Sequence, residues 1–403
     1  MNRTRYGWAL IGLLWVVALL NYIDRQVIFS VLPLVKADLK LTDVELGLLS
    51  GVFLWVYGIL SPVAGYLGDR FGRVRMILLS LLVWSAVTWA TGHARTSGEL
   101  LAARALMGIS EACYLPAALA LIADYHGDRT RSLATGLHFS GIYVGIVLGG
   151  GGGGWMGEQY GWRLTFTILG IFGIVYTGIL RLRLKDTARA AATPPRILAS
   201  LRELMRLRGF PALVLIFSTT SVANWIVYTW LPLYLYERFG MSLTAAGFTA
   251  TFYIQAGSVA GILLGGKVAD AWARSSPSGR LFTQAAGLSA AAPFLFLAGS
   301  TSAIGFLIAG LLVFGIGRGM FDCNAMPVLC QIARPDLRAT GYGIYNCAGC
   351  LIGGLMAAVA GALKEAFGLT ASFQIAAVLL FFSAMALLRL RLGAEPVRSP
   401  AVA

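Results

Sequence analysis

Charged residues are scarce in this chain. Asp, Glu, Lys and Arg make up 12% of its 403 residues, whereas a soluble domain has about 25%. Residues of the group AVILMFWYC make up 58%, which is more apolar surface than soluble cores of this size can bury. The composition excludes a soluble globular domain, a disordered chain and a collagen. It indicates an integral membrane protein with many spans.

Histidine and cysteine are also scarce, with three and five residues. The cysteines all lie in apolar segments, so they offer no framework of disulfides between loops. Cys347 and Cys350 have the spacing of a redox motif, but they lie in a predicted span, where packing of small residues is the better interpretation. The sequence has no metal-ligand spacing of His, Cys and acidic residues and no converging Ser-His-Asp set. We therefore expect no metal, no cofactor and no enzyme activity.

Twelve apolar stretches are long enough to cross about 30 Å of hydrocarbon, which takes about 20 helical residues. Their even spacing favours helices over barrel strands, so the sequence predicts an all-α membrane protein. The first stretch is long and carries Asp24 and Arg25, which argues against a cleavable signal peptide. The predicted spans are residues 7–35, 43–68, 74–93, 97–123, 132–156, 162–182, 209–237, 243–269, 281–299, 302–331, 338–363 and 368–390.

Positive charge sets the predicted orientation. With the N-terminus in the cytoplasm, 23 Lys and Arg residues fall on the cytoplasmic side, six on the outside and three within spans. Cytoplasmic loops carry such an excess of Lys and Arg, so both termini are predicted to be cytoplasmic. The same distribution accounts for the net charge of +14 without a nucleic-acid partner. We expect a monomer in the lipid bilayer of a bacterial inner membrane.

An internal repeat divides the chain. Gly65–Arg73 matches Gly266–Arg274, and residues 111–116 match 322–327. Both matches span the same six-span interval, which predicts two homologous halves. The connection between them contains an apolar helical face over residues 197–205, typical of a helix on the membrane surface. The predicted domains are a six-helix bundle over 1–183, a cytoplasmic linker over 184–208 and a second six-helix bundle over 209–403.

The segment Gly65–Arg73, with Val74 and Arg75 after it, resembles the motif between the second and third helices of the major facilitator superfamily. Residues 266–274 lie where that superfamily repeats the motif, and the resemblance covers nearly the whole chain. It implies twelve helices in two pseudo-twofold bundles that rock around a central site. In the family the Asp of this motif latches the cytoplasmic side of the outward-open state. Carried over, the latch consists of Gly65, Asp69, Arg70, Arg73, Asp270 and Arg274.

Two branches of the superfamily fit a narrower set of residues. Residues 21–25 in the first span, with Arg104 and Glu111 in the fourth, are similar to the anion:cation symporters of sugar acids, which include sialin-like carriers. They are equally similar to the spinster-like lipid transporters, so they do not choose between the branches. The segment 318–324 departs from the pattern of sugar-acid carriers. The glycines of residues 136–154 are similar in spacing to a motif of drug:proton antiporters. Export of the substrate is therefore an alternative to its uptake.

Six charged residues lie deep within the predicted spans. An ionised side chain at mid-bilayer costs at least ~2.5–3.5 kcal/mol, so these residues should face a hydrated space or each other. Residues 104 and 111 share a helical face, and residues 318 and 322 are close enough to pair directly. The six residues are Asp24, Arg25, Arg104, Glu111, Arg318 and Asp322.

These charges predict proton-coupled binding of an anion. Glu111 and Asp24 would take up and release the proton, with Asp322 as a third candidate. Arg25 would clamp the substrate, because a guanidinium binds a carboxylate bidentately, and Arg104 would be the partner of Glu111. Permanent ion pairs that fix helix packing are the alternative interpretation.

Polar and aromatic residues of the spans complete the predicted binding site. They supply donors and acceptors for a polyol, although each could instead join helices. We expect proton symport of a small organic anion such as a sugar acid. One alternative is a spinster-like carrier of lysolipids or amphipathic solutes, which includes export by proton antiport. The other is a membrane sensor that transports nothing. The residues are Tyr22, Tyr57, Tyr114, His138, Tyr143, Asn224, Tyr228, Gln255, Asn324, Tyr345, Asn346 and Gln374.

Overall fold

The computed structural model describes residues 3–126, 130–186, 197–334 and 337–390. Throughout these residues the regular structure is helical, without strands. The helices are α1 (Arg3–Ser30), α2 (Leu32–Leu39), α3 (Asp43–Phe71), α4 (Arg73–Thr91), α5 (Ser97–Ala112), α6 (Tyr114–Tyr125), α7 (Arg131–Val147), α8 (Gly153–Arg183), α9 (Ile197–Arg206), α10 (Phe210–Phe239), α11 (Leu243–Ser275), α12 (Gly279–Ser300), α13 (Ile304–Ile332) and α14 (Arg338–Arg389).

Ten helical stretches of the described residues are long and apolar enough to cross a membrane. Two of them, 51 and 50 residues long, are about twice the length of a single span. They are interrupted at Gly161 and Gly368, whose φ angles of 80° and 74° are left-handed and suit glycine. The helix bounds lie close to the predicted spans. Dividing both long stretches at these glycines gives the predicted count of twelve spans. That count stays a prediction, and so does the cytoplasmic placement of the termini.

Polar side chains cap several helices where the sequence places them. Thr42 and Glu45 form a capping box at the start of α3, in which the Thr42 hydroxyl accepts from Glu45 N at 3.2 Å and the Glu45 carboxylate from Thr42 N at 2.9 Å. Thr96 and Ser242 accept in the same way at the starts of α5 and α11. These caps satisfy backbone donors that apolar spans cannot satisfy themselves.

The glycine run of residues 149–154 forms a π-helical turn, Leu148–Gly152, between α7 and α8. One side of the run packs on α1: a Cβ atom added at Gly149 would lie 2.9 Å from the Ile23 carbonyl oxygen. The other side packs on α11, where a Cβ atom added at Gly150 would lie 2.6 Å from the Gly247 carbonyl oxygen. The run therefore joins the N-terminal half (residues 3–186) to the C-terminal half (residues 197–390).

Charged side chains join the same two halves at the end of the bundle where α2 lies. Asp43 of α3 accepts from Lys36 Nζ at 2.6 Å and from Lys364 Nζ of α14 at 3.0 Å. Lys364 Nζ also lies 2.8 Å from Glu237 Oε1 of α10. The Glu158 carboxylate of α8 accepts from Leu243 N and the Thr244 hydroxyl at the start of α11. These contacts hold the halves together at this end, which we call the α2 end.

Helix α9 lies in the predicted linker. Leu204 is fully buried, whereas Leu198 is 80% exposed, and Glu203 Oε1 lies 3.1 Å from Arg334 Nη1 of the C-terminal half. Residues 187–196, which include Pro194 and Pro195, lie outside the described residues. The division of the chain into two bundles and a linker stays a prediction.

A methyl group at Gly150 should separate the halves at the α2 end. In Gly150→Ala the new Cβ would lie 2.5 Å from Thr251 Oγ1, and overpacking of this kind costs about 1–3 kcal/mol. Gly152→Ala is the matched control, because no described atom outside its own helix lies within 4 Å of a Cβ there. We expect spin labels at Tyr160 and Phe367, in a background without native cysteines, to move apart in Gly150→Ala only. Equal distances in both variants would contradict the interpretation of Gly150 as a close contact between the halves.

Candidate functional site

An ion pair between α1 and α5 forms the centre of the candidate site. Arg25 Nε donates to Glu111 Oε2. The Glu111 side chain is 0% exposed and that of Arg25 is 12% exposed. The guanidinium also lies over three aromatic rings, with its carbon 4.8 Å from the centroid of Tyr22, 5.0 Å from Phe53 and 4.6 Å from Tyr57. The cation is thus held by one carboxylate and by rings whose faces attract positive charge.

Arg104, the predicted partner of Glu111, makes no direct ion pair with it among the described contacts, although its charge acts on the Glu111 carboxyl. Its Nε donates to the Leu49 carbonyl oxygen at 2.9 Å and its Nη1 to Met107 Sδ at 3.3 Å. Residues 104 and 111 share a face of α5, but seven residues separate them by about 10 Å along the axis. That separation is too long for direct contact, so the side chain of Arg25, which comes from another helix, takes the place predicted for Arg104.

Asp24 is 2% exposed and lies beside α4. Its nearest polar groups are Thr88 and Trp84, and the charges of Glu111 and Arg104 act on it. Asp24 is therefore a buried carboxyl of α1 that is separate from the neighbouring Arg25. The sequence prediction missed Trp84 and Thr88, because an indole and a hydroxyl in an apolar span are equally typical of helix packing.

Several buried polar atoms around the ion pair lack a hydrogen-bond partner in the described part of the chain. They are Glu111 Oε1, Asn21 Nδ2, Asp24 Oδ1, Trp84 Nε1 and Thr88 Oγ1. Buried polar groups are nearly always satisfied by protein or by ordered water. Thr88 and Trp84 interact with the Asp24 carboxyl, and Asn21 interacts with the Glu111 carboxyl, so each carboxyl has polar neighbours of its own.

A second charged pair lies in the C-terminal half. Arg318 Nε of α13 lies 3.2 Å from Asp322 Oδ2, the pairing that the sequence spacing predicted. Arg318 Nη1 donates to the Tyr228 hydroxyl of α10, to which Gln255 Nε2 of α11 also donates. Four residues from three helices therefore share one polar cluster, with Tyr143 of α7 near it.

The predicted lining residues divide into three groups by position. Tyr22, Tyr57, Tyr143, Asn224 and Tyr228 are half-buried and come from helices around the two charged pairs. A second group is buried in helix packing: the Tyr114 hydroxyl donates to the Leu14 carbonyl oxygen at 2.9 Å, and His138, Asn324 and Tyr345 are 0%, 2% and 2% exposed.

The third group joins helices to each other. Asn346 Nδ2 donates to Ser61 Oγ of the other half at 3.1 Å. Gln374 Nε2 donates to Ser300 Oγ at 3.0 Å, between α14 and the end of α12. Gln374 therefore lies at the end of the bundle, away from the two charged pairs.

The predicted latch residues are described in part. Arg73 forms an ion pair with Asp124 and donates to the Ala120 carbonyl oxygen at 3.0 Å. Arg70 is exposed, and its guanidinium lies 5.5 Å from the Phe71 ring. Asp270 Oδ1 lies 3.1 Å from Arg280 Nη2, and Arg274 is exposed. Gly65 and Asp69 belong to α3, and their role as a latch stays a prediction.

Phe53 is the other residue that sequence reasoning missed. Its ring lies under both guanidinium groups, 5.0 Å from Arg25 and 4.7 Å from Arg104, and it is 1% exposed. A phenylalanine in an apolar span gives no signal in the sequence, because the same residue type fills every helix interface.

Removing the cation should make stability depend on pH. In Arg25→Met the Glu111 carboxylate would be buried without its partner, and breaking a buried pair costs about 3–5 kcal/mol. Protonation of Glu111 removes the unpaired charge, and the folded state then holds a proton that the unfolded chain has released. The loss of stability in Arg25→Met should therefore be large near about pH 8 and small near about pH 5. Thermal unfolding at both pH values measures it, and Arg25→Met/Glu111→Gln is the matched control that should recover stability at about pH 8. A loss in Arg25→Met that is equal at both pH values would show that Glu111 carries no charge.

Comparison with known proteins identifies the family of the chain. The family profile of the Major Facilitator Superfamily matches residues 14–357. A sphingosine-1-phosphate transporter of Xenopus tropicalis is 31% identical over 243 residues, 59% of this chain and 47% of that protein. A probable galactarate/D-glucarate transporter of Bacillus subtilis (strain 168) is 28% identical over 300 residues, 67% of this chain and 66% of that protein. The match thus spans about half the length of the frog relative and just under two thirds of the bacterial one.

Solved structures share the fold. A bacterial homologue of the human lysosomal transporter spinster, in an inward-facing and unoccupied conformation, superposes with a TM-score of 0.82. It is 23% identical, and the match covers 98% of this chain and 99% of that one. The family match covers most of the chain, and its relatives are spinster-like and galactarate/glucarate transporters. The helical fold and the apolar spans agree with that match. The chain is therefore a membrane transporter of the major facilitator superfamily and not an enzyme.

Proposed function

We propose that this chain is a secondary active transporter that couples a proton to a small organic anion, such as a sugar acid, by alternating access. The observation that supports it is the buried pair of Arg25 and Glu111. A cation that grips carboxylates and a carboxyl that can accept a proton are in direct contact, within the transmembrane part of the bundle. A substrate anion would therefore replace Glu111 as the partner of Arg25, while a proton would neutralise the Glu111 carboxylate.

The coupling follows from charge balance. When a substrate carboxylate binds Arg25, the guanidinium is shared or withdrawn, and Glu111 is left as a buried carboxylate without its cation. A buried unpaired charge is costly, so Glu111 then takes up a proton. The site would contain Arg25 with the substrate anion and a neutral Glu111. Because coupling between two ligands is reciprocal, a bound proton also raises the affinity for the anion.

The other charged residues would support this exchange. Asp24 is the second proposed proton site, since it is a buried carboxyl that interacts electrostatically with Glu111. The positive charge of Arg104 acts on both carboxyls and would oppose their protonation until substrate binds. Asp322 is the third proposed proton site. The proton is the proposed coupling ion, and no other cofactor is needed.

Alternating access would use the contacts between the halves. If the N-terminus lies in the cytoplasm, as the charge distribution predicts, then the α2 end with its Asp43 and Glu158 contacts is the outer end. The structure would then be closed to the outside. Rocking of the two halves would break these contacts, while the predicted latch around Asp69 would close the cytoplasmic side. A monomer in a bacterial inner membrane suffices for this cycle.

A second candidate function is transport of a lysolipid or an amphipathic solute, with export by proton antiport included. It is favoured by the 31% identity to the sphingosine-1-phosphate transporter of Xenopus tropicalis and the 28% identity to human protein spinster homolog 1 over 360 residues. A phosphate headgroup would engage the same arginine through the same charge-assisted hydrogen bonds.

Transport by Glu111→Gln tests the coupling. We expect wild-type proteoliposomes to accumulate labelled D-glucarate when the outside is more acidic than the inside. Glu111→Gln should accumulate none, because it cannot carry the proton, yet it should still exchange preloaded D-glucarate. Glu203→Gln is the control, since its exposed pair with Arg334 contributes little. Accumulation by Glu111→Gln would overturn the coupling role of Glu111, and movement of a lysolipid without any uptake of D-glucarate would favour the second candidate.

A further inference from the structure

The polar cluster of Tyr228, Gln255, Arg318 and Asp322, which we call the Arg318 cluster, has features that a static ion pair does not need. The Tyr228 hydroxyl accepts from both Arg318 and Gln255, so its own proton points elsewhere and is available to donate. Gln255 is 3% exposed, and its Oε1 has no hydrogen-bond partner among the residues described. An unsatisfied buried acceptor beside a free hydroxyl is the chemistry of a polar ligand site.

The ion pair within the cluster is loose. Arg318 Nε lies 3.2 Å from Asp322 Oδ2, yet in the described part of the chain this Nε makes no hydrogen bond. The side chains of Arg318 and Asp322 are 20% and 40% exposed, whereas that of Glu111 in the other pair is 0% exposed. Arg318 thus has a donor to spare and a carboxylate partner that water can replace.

Residues of other helices interact with this cluster. Tyr228 of α10 accepts a hydrogen bond from Arg318, and Tyr143 of α7 and Tyr342 of α14 are within electrostatic range of Asp322. Tyr228 also packs against the apolar core of the N-terminal half. The cluster therefore lies where helices of both halves approach each other.

Tyrosines connect the Arg318 cluster to the Arg25 pair. Tyr143 is within electrostatic range of Arg318, Asp322 and Tyr22, and the Tyr22 ring lies 4.8 Å from the Arg25 guanidinium. Tyr22 and Tyr143, which interact with each other, thus link the surroundings of the two guanidinium groups. That arrangement suits a solute with an anionic group at each end and hydroxyls along its length.

We propose that the Arg318 cluster is a second oxyanion subsite, which determines specificity for substrates that carry a second anionic group. The inference rests on the proposed function and extends it. The first carboxylate binds Arg25, and the second binds Arg318 bidentately in place of Asp322, with the Tyr228 hydroxyl as a further donor. The substrate then bridges the two halves, so that its binding pulls them together around it.

D-glucarate and D-gluconate are the matched probes, because they share a six-carbon hydroxylated chain and differ in one terminal carboxylate. Binding to the purified full-length protein is measured by calorimetry at about pH 7 and fixed salt. We expect wild-type protein to bind D-glucarate about 10- to 100-fold more tightly than D-gluconate, the range of one or two charge-assisted hydrogen bonds. Arg318→Gln should lose that preference and leave the affinity for D-gluconate within about twofold of wild type.

Asp322→Asn is the second variant, and it separates the subsite from a structural pair. It keeps Arg318 and removes the carboxylate that competes with the ligand, so the variant should bind D-glucarate several-fold more tightly than wild type does. Weaker D-glucarate binding in Asp322→Asn would overturn the subsite, because a static pair that organises the site predicts that result.

Failure of the subsite and failure of the proposed function give different results. If wild type binds both acids equally and Arg318→Gln changes neither affinity, the second subsite is wrong and anion transport stands. If wild type binds neither acid but binds a lysophospholipid, the proposed substrate class and the subsite fall together.

Discussion

The cost of a charge in a medium of low dielectric constant is the constraint on which the rest of this structure depends. An ion at the centre of a bilayer costs at least ~2.5–3.5 kcal/mol, so a guanidinium or a carboxylate at that depth needs contacts that compensate its charge. Arg25 and Glu111 meet this condition between α1 and α5, with three aromatic rings around the cation. Neither group can change its charge or partner alone. Any anion that binds Arg25 must therefore be accompanied by a change at Glu111, and that obligation is the physical basis of the proposed coupling.

The two halves of the chain are joined at the α2 end. The contacts there are the close approach at Gly150, the ion pair of Asp43 with Lys364 and the hydrogen bonds that Glu158 accepts from Leu243 N and the Thr244 hydroxyl. The Asp43 and Lys364 side chains are each 11% exposed, so this pair is largely buried. An apolar cluster also spans both halves, because Leu46 and Leu49 of α3 belong to the same cluster as Trp230 of α10 and Ala360 of α14. The proposed rocking of the halves would therefore expose apolar surface as well as break polar contacts.

Much of the fold follows from the sequence, because a span needs about 20 apolar residues and few other features compete with that signal. The helix bounds and the direct pairing of Arg318 with Asp322 were predicted for this reason, since both depend on local spacing. The direct contact of Glu111 with Arg25 was not predicted, because helical periodicity relates residues of one helix and gives no information about a neighbouring helix. Phe53, Trp84 and Thr88 were missed on the same ground: their roles arise where three helices meet. Tyr114 and Tyr345 looked like lining residues by type, yet each is buried against a neighbouring helix.

Protonation of Glu111 on substrate binding is the central claim, and infrared difference spectroscopy observes it directly. D-glucarate is added to the purified protein at about pH 7, where a free carboxylic acid of either partner is ionised. Protonation of Glu111 should give the wild type a new carbonyl band of a protonated carboxyl group that shifts on exchange into heavy water. The band should be missing in Glu111→Gln. Binding of D-glucarate to the wild type without that band, or with the same band in Glu111→Gln, would contradict it.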